Sequence, residues 1–348
     1  MLNKNPLNIL VFGAGAIGGY IGGSLLLRGH QVVFLEREHN APALRERGLR
    51  LTVGENIQSI SGLNVVSSIN EALAGSPFDV ALFALKSYDT AAALKPLKPY
   101  LDHLPPFLCL QNGVDNESAL AAVLGKGRVI AGTVTTAIGK PNIGEILLQR
   151  KRGIGISGQH PLSQRLAKAL EEADLNPRLY RNAAEMKWSK LLTNLLSNAS
   201  CAILDMNPSE VLTHSGLFKI EMRQLREALA VMAASHLRVV DLPGTPVKAL
   251  AFAAKQLPFG LARPLIARVA GRGRGDKMPS LHIDLHNSKK CKSEVSWLNG
   301  AVSRWGKDAG VQTPVNDALH DTLVSLISKA ERKNVFSKRP EALIKALR

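Results

Sequence analysis

The chain has 348 residues, 45% of them hydrophobic and 21% charged, and a formal charge of +16. This composition excludes a disordered or fibrous polymer, and the length is enough for two cores. The charge is spread along the chain, apart from a modest cluster at 263–277. No zinc-ligand spacing or RNA-recognition aromatic signature accompanies it, so an anionic small molecule is expected as partner rather than nucleic acid.

In chain order, residues 8–13 (NILVFG) read as a short apolar strand, followed by a helix to Arg28 that Gly29 closes. The uncharged run 9–27 is as long as a membrane span, but its six glycines cluster after a β-branched and aromatic start. That order is strand, tight turn and helix, and no membrane segment is expected. Residues 31–37 form a second strand and 41–48 a helix ending at Gly48. Two runs beyond it pair as a hairpin. Residues 78–86 and 107–113 are buried strand types, and 128–140 and 145–150 add further β structure. From about residue 180 the strand-like runs stop and amphipathic helical patterns follow to the end. The expected fold class is therefore an α/β Rossmann-type N-terminal domain (1–180) plus a mainly α-helical C-terminal domain (181–348). Cys109, Cys201 and Cys291 stand far apart without a Cys-x-x-Cys pair, which fits packing roles in a reducing cytoplasm.

The run GAGAIG, Gly13, Ala14, Gly15, Ala16, Ile17 and Gly18, matches G-x-G-x-x-G after a strand and at the opening of a helix. Gly13 permits the turn, Gly15 admits a pyrophosphate, Gly18 lets helix and strand approach, and the helix N-terminus favours the anion. The second strand ends in Glu36-Arg37. An acidic residue there suits the ribose hydroxyls of NAD, and an arginine suits the extra phosphate of NADP. Arg37, with Arg45 and Arg47 nearby, tilts the balance to NADP(H), although Arg45 and Arg47 also read as a solvated helix face. Lys86 and Asn112 end consecutive strands, at the sheet edge where ligands bind.

Residues 187–198, KWSKLLTNLLSN, read as one piece of helix. Trp188, Leu191, Leu192, Leu195 and Leu196 share one side. Lys190, Thr193, Asn194, Ser197 and Asn198 share the other. Such a polar side makes a poor solvent face, because Asn, Ser and Thr are weak helix formers and no carboxylate pairs with the lysine. It makes sense facing a substrate. Lys187, also on the polar side, is a rival cation to Lys190, but it reads more readily as a solvated surface lysine.

These stretches, together with ALKSYDT (84–90), LQNGVDNE (110–117) and SEVSWLNGAV (293–302), resemble the ketopantoate reductase (2-dehydropantoate 2-reductase) family, in order from about residue 8 to about residue 320. The resemblance implies NADPH-dependent reduction of 2-dehydropantoate to pantoate, on the route to pantothenate and coenzyme A. It implies Lys190 as catalytic lysine and proton donor, and Glu294 as the acidic residue of the active site. Asn194, Asn198 and Ser280 match substrate-binding positions, and Arg37, Lys86 and Asn112 match positions around the cofactor. Chemically, an ammonium beside a ketone oxygen stabilises its developing charge and passes a proton, an assistance worth about 10²–10⁴-fold.

Where the family often has Thr-Glu-x-Asp, this chain has Ser293-Glu294-Val295-Ser296. Pro279 stands before Ser280 in place of a serine, Lys277 stands where asparagine is common, and the 280–294 segment is about two residues longer than in shorter members. These differences leave the reaction type intact and the exact keto acid open. Two other readings compete: a related reductase of another 2-keto or hydroxy acid, and a non-catalytic dinucleotide-sensing or nucleic-acid-binding protein. A small keto-acid substrate is the expected partner, and a homodimer is left open. His282 and His286, four apart around Asp284, show no third metal ligand in the sequence, so no metal is expected; Asp284 is expected to support the active site.

Overall fold

The computed structural model describes residues 5–264, 266, 278–286, 292–328 and 334–347. Most of the basic cluster at 263–277, Lys277, Cys291 and the middle of the 280–294 segment lie outside the described residues.

The chain divides into two compact units. The first comprises Met1–Gln111, Asp115–Lys187 and Leu242–Thr245; the second comprises Asn112–Val114, Trp188–Asp241 and Pro246–Arg348. The first unit carries strands β1 (Asn8–Phe12), β2 (Gln31–Leu35), β3 (Leu49–Val53), β4 (Asn56–Ile60), β5 (Asn64–Val66), β6 (Val80–Phe83), β7 (Phe107–Cys109), β8 (Val129–Val134), β9 (Ala137–Gly139), β10 (Glu145–Arg150), β11 (Ile154–Ser157) and β12 (Pro177–Tyr180). Eight of them form a sheet in the order β12-β11-β8-β7-β6-β1-β2-β5. From β5 to β8 every neighbouring pair is parallel, while β11 runs antiparallel to β8. The β5-to-β8 part is the doubly wound dinucleotide-binding order, whose ligand edge lies beyond the carboxyl ends of its strands.

Burial on both faces explains why these strands read as unbroken apolar runs. Ile9 and Val11 point into one core layer with Phe34, Val80 and Leu82. Leu10 and Phe12 point into the other, where Phe12, Phe83 and Phe107 pack with ring centroids 5.2–5.9 Å apart. A second sheet, in the order β4-β3-β10-β9, contains the expected hairpin. Its Leu51 and Ile146 meet Gly23 and Gly19 of helix Ala16–Leu26. The uncharged run 9–27 is thus a core strand and a helix packed through its glycines. Among the described residues, no helix is long and apolar enough to cross a membrane.

The second unit is helical. Trp188, fully buried, meets Trp305 edge-on at 5.4 Å. Helix Ser215–Ala234 carries a buried polar network. Its Gln224 accepts from Asn299, Asn299 donates to Asn316, and Asn316 donates to Glu227. Asn299 of the Leu-Asn-Gly stretch is therefore a structural anchor with its donors satisfied inside the fold.

Candidate active site

The glycine turn follows β1. Gly13 sits at φ +84°, a conformation that L side chains rarely adopt. A Cβ on Gly18 would lie 2.0 Å from the Gly13 carbonyl oxygen, so only glycine permits this turn-to-helix approach. At Gly15, the residue before helix Ala16–Leu26, a Cβ would meet no atom within 4 Å, leaving backbone that a ligand can approach closely. The turn therefore joins a positive helix terminus to bare backbone.

At the end of β2, Glu36 and Arg37 part ways. Glu36 Oε2 accepts the Ala14 N–H at 2.9 Å, and its Oε1 accepts from the Arg37 N–H and from Asn40 Nδ2. Arg37, 42% exposed, donates to Asp89 Oδ2 at 2.6 Å. The sequence placed Glu36 and Arg37 side by side but carried no sign of Asp89 as Arg37's partner, because 52 residues separate them. Lys86 stands, half-buried, three residues past β6 and opens the short helical turn Ser87–Asp89.

The expected single helix across 187–198 is corrected. Helix Ala183–Leu195 ends, Ser197 takes the left-handed conformation at φ 56°, and a new helix, Asn198–Leu204, begins. The cause is a buried carboxylate on a distant helix. Glu221 accepts the Ser197 N–H at 2.6 Å and the Ser200 hydroxyl, while Gln224 donates to the Leu195 carbonyl. These bonds satisfy the backbone groups that the break sets free. Lys190 and Asn194 keep their one-turn spacing. From Glu185 to Leu195 every residue is buried except Lys190, Thr193 and Asn194. Asn194 Nδ2 donates to Asn112 Oδ1 at 3.1 Å, so two residues expected in different binding roles touch one another.

Asn198 lies past the break and is buried. Its Oδ1 accepts the Leu281 N–H at 3.0 Å and its Nδ2 faces Ser280 Oγ at 3.4 Å. It thereby joins Ser280, which opens helix Ser280–His286, to the start of helix Asn198–Leu204. Glu294 and Asp284 are buried in the same unit.

Lys187 is the second correction. It is buried, not solvated: its ammonium donates to the carbonyls of Gln111 at 2.6 Å and Gly132 at 3.2 Å, and pairs with Glu117 at 2.8 Å. Three acceptors converge on one cation, so it ties the segment after β7 and the middle of β8 to the start of helix Ala183–Leu195. Beside it, burial and the Glu117 carboxylate push the Cys109 thiol well above its usual range, which suits a packing residue.

His282 and His286 gain from the fold the third group that sequence did not offer, since Asp205 brings its ligand atom within 4.8 Å of theirs. Yet the two imidazoles stack face to face, with centroids 4.3 Å apart and planes 25° apart. A metal ion needs a lone pair in the plane of each ring. This arrangement serves hydrogen bonds instead, from His282 Nε2 to Asp205 and from His286 Nε2 to the Ala202 carbonyl.

Two family models match the chain in order: ketopantoate reductase PanE/ApbA over residues 9–159, and the C-terminal part of the same family over 182–326. The 2-dehydropantoate 2-reductase of Lactococcus lactis is 27% identical over 328 residues, covering 90% of this chain and 96% of its own. That of Pyrococcus abyssi is 23% identical, covering 89% and 94%. Among solved structures, a PanE/ApbA family ketopantoate reductase from Ralstonia eutropha JMP134 superposes with a TM-score of 0.77 at 26% identity, covering 94% of this chain and all of that one. A D-mandelate dehydrogenase in complex with NADH shares the fold, with a TM-score of 0.73 at 22% identity over 92% of this chain and 99% of its own. Matched in both halves and in chain order, the chain belongs to the ketopantoate reductase family.

Proposed function

We propose that the chain reduces 2-dehydropantoate to pantoate with NADPH, serving pantothenate and coenzyme A synthesis, with Lys190 as the proton donor. The observation that carries this reading is that Lys190 and Asn194 stay only half-buried on a helix otherwise buried from Glu185 onward, apart from Thr193. A buried helix that leaves an ammonium and an amide partly accessible one turn apart has a use for them. The dinucleotide, when bound, supplies hydride to the keto carbon. Gly13 through Gly18 hold its pyrophosphate, with Lys86 and Arg37 as further cationic contacts.

Lys190 stabilises the ketone oxygen as negative charge gathers there and then delivers a proton to it. Asn194, with one N–H turned to Asn112, keeps its carbonyl and its second N–H for a substrate oxygen. Ser280 and Asn198 anchor the carboxylate end, and Glu294 orients the lysine or the substrate hydroxyl. The differences at 279–296 bear on this end, so a related 2-keto acid is the alternative substrate.

The test follows NADPH absorbance with 2-dehydropantoate and with a panel of other 2-keto acids. Turnover is expected for 2-dehydropantoate, and Lys190→Ala lowers kcat by about 10²–10⁴-fold with dinucleotide affinity kept. Full turnover by Lys190→Ala removes the lysine from the mechanism. Faster turnover of another keto acid reassigns the substrate.

A further inference from the structure

We infer, building on the dinucleotide-dependent reductase reading, that the ribose end of this site binds NADH with an affinity close to that for NADPH, with Glu36 the residue that admits it. Three N–H groups, those of Ala14, Arg37 and the Asn40 amide, hold the Glu36 carboxylate in place. Its backbone N–H donates to the Val66 carbonyl at the end of β5, which pins the residue itself to the sheet edge. A carboxylate fixed against the glycine turn at the end of β2 accepts hydrogen bonds from a ribose diol. Toward a 2′-phosphate the same group is a like charge at short range.

Arg37 supplies the opposite preference, but at a cost. Its guanidinium is engaged with Asp89, which is only 17% exposed, at 2.6 Å. A 2′-phosphate must share that guanidinium with Asp89 or displace it, and the carboxylate already offsets part of the cation's charge. NADPH therefore gains an arginine contact that Asp89 weakens, and its extra phosphate meets Glu36. NADH keeps the pair and gains the Glu36 contact. The opposing contributions leave the two dinucleotides close in affinity: Glu36 and Asp89 both weight the ratio toward NADH, and Arg37 weights it toward NADPH.

Equilibrium binding of NADH and NADPH to the whole chain, read by nicotinamide fluorescence without any keto acid, tests this. The dissociation constant for NADH is expected within about tenfold of that for NADPH. Glu36→Gln shifts the ratio toward NADPH by about tenfold or more, and Asp89→Asn shifts it the same way by releasing Arg37. NADH binding more than about a hundredfold weaker than NADPH in the unaltered chain overturns the inference. So does a ratio that neither variant moves. Binding of neither dinucleotide overturns the cofactor reading and this inference with it. Normal binding without turnover of any keto acid overturns the substrate reading and leaves this inference standing.

Discussion

The glycine turn and the segment from Lys187 to Asn198 carry the two halves of the proposed chemistry, and they answer to different physics. The turn works through backbone: a positive φ at Gly13 and a close approach at Gly18. Both requirements exclude side chains, so they are written directly into residue identity. The segment works through side chains whose fate depends on distant partners. Lys187 and Lys190, three apart on one helix, end in opposite conditions, one buried among three acceptors and one left half-buried on the polar face.

The comparison can be broken most sharply at Lys187. Lys187→Met leaves Glu117 and two carbonyls without their cation, and should cost about 3–5 kcal/mol of stability in denaturant unfolding. Adding Glu117→Gln should recover part of that loss. A change under about 1 kcal/mol in the single variant would return Lys187 to the surface role that its sequence neighbourhood suggests.

Gly18→Ala tests the other side. The added methyl meets the Gly13 carbonyl, so the turn must move, with a stability loss of about 1–3 kcal/mol and weakened dinucleotide binding. Unchanged binding measured by fluorescence titration would mean that the turn's shape is not what the ligand reads. Asn198→Ala removes the acceptor of the Leu281 N–H and the contact to Ser280. About 1 kcal/mol of stability should go with it, alongside a raised KM for the keto acid. A stability loss with KM unmoved would assign Asn198 to the scaffold alone.

The smallest effect is a pH dependence in the first unit. His30 is buried, and its Nδ1 accepts the Leu7 N–H. Burial lowers its pKa below the ordinary 6.5, Glu172 opposes the shift, and Arg165 adds to it. The folded chain thus prefers the neutral ring. Its contribution is complete above pH 6.5 and is lost as pH falls below that value toward the lowered one. Thermal unfolding followed downward from pH 7.5 should show a decline that His30→Gln reduces; an identical decline in the variant would place the acid sensitivity elsewhere.

Much of the fold could be read because burial on both faces forces apolar runs, as in β1, β6 and β7. The strands that escaped notice, β5, β11 and β12, are three or four residues long, and β12 opens with proline and arginine, so pattern alone cannot raise them above loop. The helix break at Ser197 escaped for a different reason: its cause, Glu221, is 24 residues away. Of the candidate site, the glycines, Lys190 and Asn194 stand out as local patterns. The contacts Asn194–Asn112, Asn198–Ser280 and Arg37–Asp89 join residues 52 to 82 positions apart, and no local pattern encodes them.

Residue identity alone determined where the backbone turns, which strands run through the core and which helix face is apolar. Those properties depend on φ, on glycine's missing side chain and on spacing along one element. Only the tertiary structure decided which lysine is buried, where the helix stops and which acceptor each charged group finds. A charge or a free backbone group is stabilised by whatever the fold places within about 3 Å of it, and chain separation sets no limit on that.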